Sequence, residues 1–287
     1  MNTILNLLQS LSLTELIFFI ILMGFFISIF FGAAQRFWMK LLLGTPGKTY
    51  QPTSFYKKQK QNLDDIWNNR GYKDFGIERL LRLTLQLLSF ITPASIVRWV
   101  TGRRNLLFRK IGIEAYAIGK VIFAWQAIIH GWTSNGWVTV VIIILTADTL
   151  HFLISRIVLN DVWRQPISFQ RSLIMTLVNY VEVCLCFAAV YFYCDHSYPA
   201  VFEINKEIAL ENGHLPAAAY IYFSFVTAAT IGYGDISPLD PFIQKIVNAQ
   251  IIVSLFMVVV IIANVASKLH EDTFYNEKQK KKDEQKK

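Results

Sequence analysis

Nine residues, TAATIGYGD from Thr227 to Asp235, carry the pattern in this 287-residue chain that bears most directly on chemistry. Thr230 offers a carbonyl and a hydroxyl, and Ile231, Gly232, Tyr233 and Gly234 offer successive main-chain carbonyls. An ordinary strand turns its carbonyls alternately to either side, but Gly232 and Gly234 are free to take φ values that other residues avoid. A column of oxygens facing one way can replace the water shell of a bare cation such as potassium. Tyr233 is then expected to point away from the column and pack behind it. Asp235 would cap the outer end and put negative charge where cations enter. In a soluble protein Gly-Tyr-Gly-Asp would read as a turn, so the flanking sequence decides between the two.

Both flanks are apolar. The chain is 54% hydrophobic and 14% aromatic, a composition of multi-pass membrane proteins rather than soluble domains. About 20 mostly apolar residues cross roughly 30 Å of hydrocarbon. Five stretches meet that length: Leu16 to Ala34, Ile113 to Ile129, Trp137 to Val158, Leu173 to Cys194 and Phe242 to Leu269. A sixth run, IERLLRLTLQLLSFITP from Ile77 to Pro93, is assigned by charge. Residues 35–112 hold 15 Lys and Arg against 4 Asp and Glu, a net of +11, which places them in the cytoplasm. The first 15 residues hold no Lys or Arg, so five spans leave both this region and the Lys-rich tail inside. A sixth span would put one of them outside. Arg79, Arg82, Gln86 and Ser89 form one polar face of the sixth run, and Leu80, Leu81, Leu83, Leu87, Leu88 and Ile91 cover the rest. Such a helix either lies in the membrane interface with its guanidiniums near lipid phosphates, or packs on protein as an ordinary amphipathic helix. The first span lacks the basic leader of a signal peptide and reads as a retained anchor. Cys184 and Cys186, two residues apart on a helix, point in different directions and read as buried thiols, as does Cys194 at the end of the span.

Between the last two spans, PAAAYIYFSFVTAA precedes the carbonyl column. It is too short to cross a membrane and too apolar for a free loop, and Pro216 suits a helix start. A short helix dipping into the membrane and returning as extended backbone fits, since such backbone is tolerated where it lines a cavity. Its negative C-terminal pole would face the cavity below.

With these elements in place, TAATIGYGD resembles the signature of tetrameric potassium channels, Thr-x-x-Thr-Val/Ile-Gly-Tyr-Gly-Asp. The resemblance covers residues 172–269 and implies an outer helix, a pore helix, a filter and an inner helix. It implies a selectivity filter at Thr230, Ile231, Gly232, Tyr233 and Gly234, with potassium held at Thr230, Ile231, Gly232 and Tyr233, and Thr227 and Asp235 in support. One filter sequence per chain implies four chains per pore, hence a homotetramer. Two positions depart from the family pattern. Val226 stands where some simple bacterial channels carry a glutamate paired to the filter aspartate. Ser254 stands about where many members have a hinge glycine, and serine bends a helix by bonding back to a carbonyl, which makes it the candidate for gating. Asp240 and Pro241 read as N-cap and first turn of the inner helix.

Other charged positions carry expectations of their own. Asp195, Glu203, Glu207 and Glu211 against Lys206 make the loop before the pore helix acidic by three charges, enough to concentrate cations at a pore mouth. Lys120, Asp148, His151 and Glu182 all fall within spans, where ionisable groups usually pair. A network bracing the peripheral helices against the outer helix is one reading; a gating or pH-sensing network through His151 is the other. Arg98, Arg103, Arg104 and Arg109 are too irregularly spaced for a voltage-sensing helix.

The sequence therefore predicts an all-α membrane protein: a two-helix potassium-channel pore module with pore helix and filter, preceded by three further transmembrane helices and an interfacial amphipathic helix. The segments are 1–34 anchor, 35–112 basic cytoplasmic or interfacial region, 113–158 transmembrane hairpin, 159–171 linker, 172–269 pore domain and 270–287 charged tail. The expected activity is passive, potassium-selective conduction at the plasma membrane. It needs no cofactor beyond the permeant ion, no catalytic group and no nucleic-acid partner, with anionic lipid as the expected partner of the basic region. A regulatory subunit of a heteromeric channel, and a potassium transporter with a filter-like site, are the alternatives.

Overall fold

The computed structural model describes residues 55–69, 75–102, 106–162, 169–204 and 213–284. The predicted span Leu16 to Ala34 lies outside them, as do Lys206, Glu207 and Glu211. The chain divides into two compact units, and apart from Leu106 and Leu107 the described residues belong to the one formed by Thr53–Arg104 and Phe108–Lys287.

Helices dominate. In chain order they are α1 (Phe55–Trp67), α2 (Gly76–Leu88), α3 (Pro93–Gly102), α4 (Leu106–Ile129), α5 (Gly136–Val158), α6 (Phe169–Ser197), α7 (Ala217–Ala228) and α8 (Pro241–Glu284). A 3₁₀ turn, Trp132–Ser134, joins α4 to α5, and the Asn135 side chain caps α5 by accepting from the Trp137 N–H at 3.0 Å. Segments within α4, α5, α6 and α8 are long and apolar enough to cross a membrane: Ile111–Ile129, Gly136–Val158, Gln170–Ser197 and Pro241–Ala266. These agree with the four predicted spans that lie in the described region. Two three-residue strands, β1 (Phe202–Ile204) and β2 (Ile236–Pro238), pair antiparallel with Glu203 opposite Ser237.

The sixth apolar run is broken. α2 and α3 meet at 56°, with Pro93 opening α3 rather than closing α2. Helices of 13 and 10 residues are each too short to span. α2 is turned inside out relative to a soluble helix: Arg82, Gln86 and Ser89 are buried, while Ile77, Leu80, Leu87 and Ile91 are exposed. An apolar outer face is what a helix at a lipid boundary needs. Its guanidiniums also contact protein, as the packing alternative expects. Arg82 donates to both carboxylate oxygens of Asp161, at 2.9 and 2.7 Å, and Arg79 donates to the Trp67 carbonyl at 3.0 Å. Gln86 donates to the Gln59 carbonyl at 3.2 Å, which ties α2 to α1.

The main core lies between α4, α5, α6 and α7. Ala127, Ile128, Leu185, Ala188, Ala189 and Tyr191 are almost wholly sequestered there. Small residues on α6 allow close helix approach, the usual packing where lipid supplies no hydrophobic drive. A second cluster, Leu153, Met257 and Val260, lies against residues of α5, α6 and α8.

Candidate functional site: a carbonyl column at the end of a short helix

α7 is largely apolar and packs against α6, α8 and β1. Tyr191 on α6 meets Phe223 edge-on at 5.1 Å, and Phe202 of β1 meets Phe223 edge-on at 5.3 Å. A polar tie runs behind it. Gln250 of α8, wholly buried, donates to the Ser224 carbonyl at 2.8 Å and hydroxyl oxygen at 2.9 Å. Its own carbonyl accepts from the Tyr191 hydroxyl at 2.6 Å, and Ser224 donates to the Cys184 carbonyl at 2.6 Å. One glutamine thereby links α6, α7 and α8. The sequence reading missed it, although a lone amide within an apolar span is a signal of that kind.

α7 ends by tightening. The N–H groups of Ala229, Thr230 and Ile231 bond to the carbonyls of Phe225, Thr227 and Val226, at 2.9, 3.0 and 3.0 Å. Thr227 therefore supports the turn through its main chain. Beyond it, residues 231–233 have no regular structure, and φ is positive at every second residue: 57° at Thr230, 60° at Gly232 and 76° at Gly234. Alternating positive φ departs from the pattern of a strand. The glycines were expected to supply it; Thr230, a β-branched residue in a region it seldom occupies, adds a third position. All residues from Ala229 to Gly234 are exposed in the single chain, with Ile231 at 53% and Tyr233 at 67%.

Three contacts hold the end of this segment farther from α7 in sequence. Tyr233 lies parallel to Tyr222 of α7, with centroids 6.4 Å apart and planes within 2°. Tyr222 also donates its hydroxyl to Asp235 at 2.8 Å, and that bond raises the phenol above its ordinary range. The other Asp235 oxygen accepts from the Ile236 N–H at 3.1 Å. With valine at 226, Tyr222 is the pore-helix side chain that engages Asp235. Thirteen residues separate the pair, so nothing short of the folded turn reveals it. Asp240 caps α8 as expected, accepting from Phe242 N–H at 2.7 Å. Ser254 departs from expectation: its hydroxyl is buried without a hydrogen-bond partner, so the back-bond that would bend α8 is not made.

The four ionisable residues within spans separate into two groups. Lys120 on α4 meets Glu182 on α6 at 2.9 Å and donates to Thr149 on α5, whose hydroxyl donates to Glu182 at 3.0 Å. This is a buried brace across three helices. Asp148 faces elsewhere, accepting from Tyr116 at 3.0 Å and from the Ala94 N–H at the start of α3 at 3.1 Å. His151 bonds the Leu85 carbonyl at 2.9 Å and Ser155 at 3.3 Å. Asp148 and His151 thus anchor the bent α2–α3 pair rather than joining the Lys120 brace. Asp195 is likewise engaged by His214 at 3.2 Å and by Tyr220, so it is not a free charge on the acidic loop. The three cysteines are buried and free.

These elements define the class: an all-helical, multi-pass membrane protein in which a short apolar helix and an irregular exposed segment lie between two spanning helices. Residues 179–271 match the family model described as ion channel, which takes in most of α6, all of α7, the irregular segment after it and the apolar part of α8. Comparisons with curated proteins and with solved structures found no match. The protein carries an ion channel domain.

Proposed function

We propose that the protein is a potassium-selective channel whose pore assembles from four copies of this chain in the plasma membrane. The observation that carries this reading is the alternation of positive φ at Thr230, Gly232 and Gly234, directly after an apolar helix too short to span. Such a backbone turns the carbonyls of Thr230, Ile231, Gly232 and Tyr233 into a column of ligands for dehydrated potassium. Two features support assembly. The column is exposed in one chain, and α8 exposes Ile252, Leu255, Val259 and Ile262, which neighbouring copies or lipid would cover. Conduction is passive and uses no cofactor and no catalytic group. The basic region faces the cytoplasm, with the outward Leu and Ile of α2 at the lipid boundary and anionic headgroups as its partners.

The test is the reversal potential of the purified protein in a planar bilayer, with potassium on one side and sodium on the other. A potential strongly displaced in the direction favouring potassium is expected, and Gly232→Ala should abolish it. Reversal near zero in the wild type would show that the column does not discriminate.

A further inference from the structure

A second site lies at the junction between the end of α6 and the start of α7. Asp195, His196 and His214 each offer a ligand atom, and these atoms lie within 4.8 Å of one another. Asp195 and His196 sit in the last turn of α6. His214 follows Gly213, whose φ of 84° makes the turn that delivers it two residues before Pro216. The ring nitrogens are already sorted. The His196 Nδ1 lies 2.9 Å from the Phe192 carbonyl, which can only accept, so Nδ1 carries the proton and Nε2 keeps its lone pair. The His214 Nδ1, rather than its Nε2, is the nitrogen that faces Asp195, 3.2 Å from Oδ2. Imidazoles that donate one N–H to a carbonyl or carboxylate and present the other nitrogen are oriented as metal ligands are. Tyr220 also bonds Oδ2, so Oδ1 is the carboxylate oxygen left for a cation.

We propose that Asp195, His196 and His214 bind a borderline divalent transition-metal ion of the zinc class. Two imidazoles and one carboxylate match the preference of such ions over calcium or magnesium, which select oxygen. The rings of His196 and His214 are stacked, 4.2 Å apart and within 17° of parallel. Stacked rings hold their lone pairs in near-parallel planes, so the exposed His196 ring tilts out of its stack with Phe192 and His214 to bring its nitrogen to about 2.0–2.1 Å from the ion. A cavity of about 250 Å³, lined in part by Asp195, Tyr198, Gly213 and His214, adjoins the site and gives an ion and its remaining waters a way in. The bound metal would staple the end of α6 to the start of α7, whose far end leads into the carbonyl column. This inference is independent of potassium selectivity.

The experiment is titration of tag-free purified protein with Co²⁺, followed by visible d–d absorption and then by displacement with Zn²⁺. One ion per chain is expected, with the intense spectrum of low coordination number. His196→Ala, at an exposed ring that leaves the fold intact, should weaken binding at least tenfold, as should His214→Ala. Asp195→Asn, which removes the carboxylate ligand, should weaken it at least tenfold as well. His151→Ala, remote from the site, should bind as wild type. Absence of saturable Co²⁺ binding, or binding unchanged in His196→Ala and His214→Ala, would overturn the proposal.

Discussion

Thr230 and Tyr222 carry the argument at the scale of single residues. A threonine at φ 57° is strained, and strain of this kind collects at functional sites. At Gly232 an added Cβ would meet nothing within 4 Å in the single chain, so the cost of Gly232→Ala there is conformational rather than steric. An L-residue in the left-handed region costs about 1–2 kcal/mol. Four copies around one pore would multiply it, which is why that substitution should flatten the reversal potential. Tyr222→Phe is the gentler probe, because it keeps the ring parallel to Tyr233 and removes only the hydroxyl on Asp235. The bond is exposed to solvent in the single chain, so removing it should cost little. A melt of the potassium-loaded protein should show Tyr222→Phe less stable than wild type, and an unchanged melting temperature would remove Tyr222 from the filter's support.

Among the elements, α4, α5 and α6 are held together by a buried ion pair rather than by packing alone. Glu182 lies at 2% side-chain exposure and Lys120 at 6%, so neither can turn to water if its partner is removed. Breaking such a pair from one side costs about 3–5 kcal/mol, whereas replacing both partners with apolar residues of similar size is often close to neutral. Glu182→Gln should therefore lower the thermal midpoint in detergent sharply. Lys120→Met combined with Glu182→Met should recover most of the loss. If the double variant is as unstable as Glu182→Gln, the pair is not the brace described here. α2 was legible as amphipathic from the spacing of Arg79, Arg82, Gln86 and Ser89, but not which way it faced. The same periodicity serves a helix with either face outward, and only Asp161 and Gln59, distant in sequence, draw its polar side in.

For the whole molecule, the prediction concerns copy number and sidedness. Native mass measurement in detergent should return four chains per particle, and a stable monomer would contradict the pore. Cysteine introduced at Trp137, next to the α4–α5 turn, should react with impermeant reagent from outside intact cells. Cysteine introduced at Asp161, after α5, should react only once the membrane is opened. The native thiols are buried and should contribute little background. Reversed labelling would invert the orientation set by the +11 charge of residues 35–112.

Local patterns were sufficient for the four spans among the described residues, the short helix in the loop between the last two, the positive φ of the two glycines and the Asp240 cap of α8. Each depends on neighbours in sequence: the length of an apolar run, a φ preference, or a side chain reaching its own helix start. Pairings between elements were decided only by tertiary structure. Lys120 and Glu182 are 62 positions apart along the chain, yet they form one ion pair, while Asp148 and His151, which lie between them in sequence, turn to another face. Gln250 on Ser224 and Tyr222 on Asp235 belong with them. Side-chain direction around a helix follows from its period, but the partner that direction meets depends on how the helices cross, and only the folded chain determines that.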